Sequence, residues 1–229
     1  MPILKRGNGS GLKGPVFFLR SRAGPSAGGP ALLTMLLLVA VVVVSCSSNP
    51  PGNIADGCEI FREKDDWYAS AQESYEKWGV PVPVQLAIIY QESRFVPDAQ
   101  PPRRRLLWVI PWTRPSSAYG YGQIKDSTWD WYLEETGNRW ADRDDFADVV
   151  DFIGWYGARS QRTLGIATGD AYRQYLAYHE GHAGYRHRTY ERKPWLLQVA
   201  RRVESRARRY QAQLPQCADS LDQGGWWFL

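Results

Sequence analysis

The residue whose setting best suits chemistry is Glu92. It closes the string Gln85-Leu86-Ala87-Ile88-Ile89-Tyr90-Gln91-Glu92, in which one acid follows a nearly uncharged apolar run, with Ser93, Arg94 and Phe95 after it. A carboxyl held against apolar side chains is disfavoured as an anion, so its pKa rises and it stays protonated near neutral pH, as a general acid must. Taken alone, a Glu at a helix end is more often a surface charge. Two later strings add polar groups: the glycine-rich Ala118-Tyr119-Gly120-Tyr121-Gly122-Gln123-Ile124, and Leu176-Ala177-Tyr178-His179-Glu180-Gly181. Gln123 offers an amide to a ligand or bonds its own backbone in a turn, and Tyr178 orients Glu92 or fills the core. His179, His182 and His187 match no standard zinc spacing and no cysteine joins them, so no metal is expected. There is no phosphate-cradling glycine loop and no nucleophile elbow, so no cofactor is expected either.

In this order, Glu92-Ser93 with Phe95, Gly120-Tyr121-Gly122-Gln123 and Ala177-Tyr178-His179-Glu180-Gly181 resemble the soluble lytic transglycosylase family and its goose-lysozyme-like relatives. That family shows a Glu-Ser pair followed by a phenylalanine, a Gly-Leu-Met-Gln turn and an Ala-Tyr-Asn-Ala-Gly segment. Here Tyr121-Gly122 replaces Leu-Met and His179-Glu180 replaces Asn-Ala, which marks a divergent branch. The resemblance implies an all-α, lysozyme-like single domain acting on peptidoglycan glycan strands. It implies that Glu92 protonates the oxygen between N-acetylmuramic acid and N-acetylglucosamine, then takes the proton of the C6 hydroxyl as a 1,6-anhydro ring closes. One carboxylate suffices when the substrate supplies the nucleophile. Substrate contacts are expected from Ser117 (or Ser116), Tyr119, Tyr121, Gln123, Tyr178, His179 and Glu180, with Trp108 and Trp112 on the groove. Two alternatives stay open: a hydrolytic muramidase with a second carboxylate among Asp98, Asp126 and Glu180, and a non-catalytic glycan-binding lipoprotein.

The elements that must position these residues read as helices. Ile60, Trp67, Ala71, Tyr75 and Trp78 recur at helical spacing up to Gly79, and a second helix follows over about 84–94 with Pro83 in its first turn. Five prolines and no clean period mark 97–117 as a long irregular loop. Helical patterns return at Thr128 to Glu135, at Phe146 to Tyr156, and at Ala171 to Tyr178 behind an Asp170 N-cap. The last helix is the clearest, with Leu196, Ala200, Val203, Ala207, Tyr210 and Leu214 on one stripe and Arg202, Arg206 and Arg209 off it, as a solvated face.

Residues 1–45 read as an export signal, basic at first and apolar from Ala31 to Val44. The ending Val43-Val44-Ser45-Cys46 resembles the lipobox of bacterial lipoproteins, which makes Cys46 the lipidated N-terminus and membrane anchor. That places the chain on the periplasmic face of the outer membrane if the organism is Gram-negative. Residues 46–57 read as a flexible tether, 58–218 as the catalytic domain and 219–229 as an apolar tail ending Trp226-Trp227-Phe228-Leu229. The leader holds five of the 28 basic residues and no acid, so the remainder carries 23 basic against 24 acidic, which argues against a nucleic-acid partner. A monomer is expected. Cys58 and Cys217 are left in an oxidising compartment, and a disulfide is expected over two free thiols.

Overall fold

The computed structural model describes residues 49–102, 105–106, 110–111 and 116–222. Cys46, Trp108, Trp112 and the Trp226–Leu229 end of the tail lie outside the described residues. The fold is all-α, as the sequence pattern requires. Among the described residues, seven longer α-helices and a short terminal one follow in order: α1 (Gly57–Glu63), α2 (Asp65–Trp78), α3 (Val82–Glu92), α4 (Asp126–Thr136), α5 (Phe146–Leu164), α6 (Ala171–Arg186), α7 (Pro194–Gln213) and α8 (Ala218–Asp222). Within the long loop, Arg105–Leu106 and Ile110–Pro111 pair as a two-residue antiparallel ribbon, a feature without strand-like alternation in the sequence.

The first helical stripe is split. At Lys64 the backbone leaves helical geometry (φ −125, ψ 79), so α1 and α2 are separate, while Gly79 ends α2 in the left-handed conformation expected of a glycine cap. Trp67 and Ala71 are buried from this stripe, whereas Tyr75 is exposed. α3 is apolar all round, and Leu86, Ala87, Ile88 and Ile89 are buried together. A helix of that kind belongs inside a domain. It is packed against α7, whose Leu196, Ala200, Val203, Ala207 and Tyr210 are buried as the stripe predicts, and α2 packs on α5. Arg202 and Arg209 are exposed, but Arg206 lies 3.4 Å over the Tyr90 ring and so covers the flank of α3.

The segment read as a tether is docked in its described part. Pro51 is buried, Tyr210 donates to the Ile54 carbonyl at 2.6 Å, and the Gly57 N–H donates to Gln213 Oε1 at 3.0 Å. These bonds satisfy backbone groups that would otherwise face α7 unpaired. Cys58 and Cys217 form the disulfide, with Cα atoms 6.0 Å apart across 159 residues.

Candidate active site

Glu92 is the last residue of α3, and the chain beyond it turns sharply. Arg94 (φ 56) and Phe95 (φ 63) are both left-handed without being glycine, a backbone cost of roughly 1 kcal/mol or more each. Burial of Phe95 holds the turn there, with Arg94 exposed: Phe95 is fully buried and stacks on Trp67 at 5.9 Å, and Trp67 lies flat on Phe146 at 3.9 Å. The end of the helix that carries Glu92 is thereby clamped to the core. Ser93 is buried with its hydroxyl on the Ile89 carbonyl, a bond internal to the helix end.

The Glu92 carboxyl opens on a cleft of about 410 Å3. Phe152, Tyr156, Tyr178 and Ile124 give this cleft apolar walls around the acid. Burial raises the pKa of Glu92 to about 7, against a smaller lowering by a hydrogen bond from the Tyr175 hydroxyl. The carboxyl is therefore about half protonated at neutral pH and largely protonated below it. In an unfolded chain the same group ionises near 4.5, so the fold takes up a proton between the two values and loses stability as pH rises through that window. The shift amounts to roughly 3 kcal/mol. Glu92→Gln should therefore be more stable than the native protein by roughly 3 kcal/mol at pH 8 and about equal to it at pH 4, measured by urea denaturation.

The second wall is the glycine-rich turn. Gly120 has φ +78, and a Cβ there would meet the Arg143 carbonyl at 1.9 Å, so only glycine fits. Arg143 holds the turn from outside: its carbonyl accepts from the Tyr121 N–H at 3.1 Å, and its guanidinium donates to Ile124 O at 2.7 Å and to Asp126 at 2.8 Å. The third wall is α6, which breaks inside the cleft at Gly181 (φ 73, ψ 161), a conformation open essentially to glycine alone. Beside the break, the Glu180 carboxylate receives both Lys193 Nζ, at 2.7 and 3.0 Å, and the Thr189 hydroxyl, and lies 3.0 Å from His179 Nδ1. Burial opposes its charge, yet these bonds outweigh burial and draw its pKa down to about 2. The cleft thus joins one acid poised to donate a proton to one carboxylate locked in an ion pair.

A family model described as a transglycosylase SLT domain matches residues 34–217, most of the chain. The chain belongs to that family. Membership gives it a transglycosylase-type, peptidoglycan-related function, and its fold is the lysozyme-like all-α one. No curated protein and no solved structure matches the chain.

Within this SLT domain the structure gathers some of the expected site residues and disperses others. Glu92, Gln123, Tyr178, His179 and Glu180 all line the cleft. Gln123 bonds the backbone as well: its Nε2 donates to Ala99 O at 2.7 Å and to Gly120 O at 3.1 Å, so the amide oxygen is what remains for a ligand. Tyr178 does not bond Glu92; its hydroxyl donates to Gly122 O at 2.7 Å and ties α6 to the turn. Tyr175, one helical turn earlier, makes that bond instead. Tyr121, expected on the groove, is a core residue packed edge-on against Trp67 and Phe146, because its amide is anchored on Arg143 and its ring is turned inward. Tyr119 donates to Asp144 at 2.8 Å and is not part of the cleft wall. Ser117 is exposed and its Oγ accepts from the Asp126 N–H, which caps α4, while Ser116 closes a local turn on Ala118.

The SLT domain also brings in residues that sequence reading passed over: Lys125, Thr128, Phe152 and Tyr156 on the cleft wall, and Trp195, 54% exposed and edge-on to the His179 ring at 5.3 Å. The Tyr175-x-x-Tyr178 spacing on one helix was the available signal for Tyr175. His182 packs on Tyr156 and bonds Ser160 at 2.9 Å, and burial lowers its pKa to about 4, so it is a neutral residue packed against Tyr156 of the cleft wall.

Proposed function

We propose that the protein is a lytic transglycosylase that cleaves the β-1,4 bond between N-acetylmuramic acid and N-acetylglucosamine, with Glu92 as its only acid/base. The observation that carries this reading is the inequality of the two carboxyls on the cleft. Glu92, raised to about 7, is able to protonate a leaving oxygen. Glu180 is bound to Lys193, Thr189 and His179 and has no freedom to activate a water. Asp126 is paired with Arg143, and neither it nor Asp98 lines the cleft. With no second free carboxylate among the described cleft residues, closure of the sugar's own C6 hydroxyl onto the cationic centre is the reaction the cleft favours over hydrolysis. The test is mass spectrometry of peptidoglycan digested by the protein. Anhydromuropeptides support the reading, and reducing muropeptides would replace it with a muramidase.

Tyr175 is a positioning residue in this reading. Its hydrogen bond favours the ionised carboxylate, so Tyr175→Phe should raise the pKa of Glu92 and move the alkaline limb of the pH–rate profile upward. A profile that keeps its midpoint would leave Tyr175 as a packing residue only.

The reading includes export and lipid attachment at Cys46, on the strength of the Val43-Val44-Ser45-Cys46 ending. Fatty-acid labelling should be present in the native chain and lost in Cys46→Ser; label retained in the variant would place the lipid elsewhere.

A further inference from the structure

A second concavity, of about 490 Å3, is lined by Arg173, Arg186, Arg188, Tyr185 and Tyr190 beside the end of α5. The two tyrosine rings pack together at 5.2 Å and form its wall. Three arginines line it with little to neutralise them. Arg173 is paired with Asp170 at 3.4 Å and Arg188 with Glu191 at 3.5 Å, both with largely exposed arginines, and such pairs are weak. Arg186 makes no ion pair among the described residues. Arg188 is also held at φ 53, a left-handed backbone that costs roughly 1 kcal/mol or more. Strain of this kind persists where the surrounding structure or a function demands it.

The concavity adjoins the cleft. Thr189 bonds Glu180 on the cleft wall, while its neighbours Arg188 and Tyr190 line the concavity, so one turn of chain separates the two. A glycan strand lying in the cleft carries short acidic peptides, and their carboxylates are what a group of arginine forks recognises, through paired N–H donors. We propose that the Arg173, Arg186 and Arg188 concavity binds carboxylates of the peptide stems on the strand whose sugars occupy the Glu92 cleft. This rests on the proposed function, and makes the enzyme selective for stem-bearing over denuded glycan.

The test uses two substrates, stem-bearing strands and the same strands stripped of peptide by an amidase. Binding is measured with Glu92→Gln, so that affinity is read independently of cleavage. Stem-bearing strands should bind about tenfold more tightly, in line with one or two charge-assisted bonds, and the difference should shrink as salt is raised. Adding R173Q and R186Q should remove the difference and leave affinity for stripped strands unchanged. Equal affinity for both strands before those changes would overturn the inference while leaving cleavage, and hence the reading of the cleft, intact. Should the combined variant fail to fold, the salt dependence in Glu92→Gln decides: a preference for stems insensitive to salt would also overturn it. So would R186-dependent binding to phosphatidylglycerol vesicles without any stem preference, which would assign the arginines to a lipid headgroup.

Discussion

Glu92→Gln should lower the rate of glycan cleavage by about a thousandfold, within the range that a positioned general acid/base contributes. The loss is expected to fall on kcat. The amide is the same size as the carboxyl and still accepts from Tyr175, so the cleft walls of Tyr178, Phe152 and Tyr156 stay in place and strands still bind. What disappears is the proton given to the leaving oxygen and the base that later receives the C6 proton. The native enzyme should lose activity as pH rises past about 7, because the ionised carboxylate has no proton to give. The measurement is release of muropeptides across pH for both proteins. A variant within tenfold of the native rate would remove Glu92 from the chemistry and leave the cleft as a binding groove.

Most helices were legible because they announce themselves locally, although the break at Lys64 that separates α1 from α2 does not. Asp170 accepts from the Arg173 N–H as its cap, Gly79 closes α2, and the α7 stripe is buried along its length. Glu92 was legible for a similar reason: eleven residues of α3 hold no other charge, so its burial follows from its neighbours in sequence. The turn was less so. That Tyr121 turns into the core rather than the groove depends on the Gly120 backbone and on the Arg143 carbonyl, which arrives from beyond α4 to bond the Tyr121 amide. Nothing within the turn string reports that partner. The same holds for Glu180, which reads as a free carboxylate until Lys193 is seen to fold back on it from the start of α7. Local periods and caps dictate elements, whereas the direction of a side chain in a turn and the partner of a charge are decided by chain far away.

Replacing both Cys58 and Cys217 by Ser should lower stability by about 5 kcal/mol on the chain-entropy account, since the bridge closes 159 residues, nearly the whole described domain. Against the roughly 5–15 kcal/mol by which small domains are stable, that is enough to bring unfolding near ambient temperature. Activity of the surviving folded fraction should not change. Cys217 is bracketed by Pro215 and Ala218, which border a groove with Pro81, Val82 and Val84 at the start of α3, whereas Glu92 ends the same helix. At about 1.5 Å per residue those ends are roughly 16 Å apart, with the buried Leu86–Ile89 segment between them. The bridge therefore acts on how readily the helices separate, through α1 and the chain after α7, and leaves the geometry of the acid alone. Denaturant titrations with and without reductant, beside turnover at low temperature, separate the two effects. An unchanged midpoint under full reduction would mean that the docked 51–57 segment and the α7 packing already hold the ends together. A fall in kcat for protein that is still folded would instead tie the bridge to the cleft through α3.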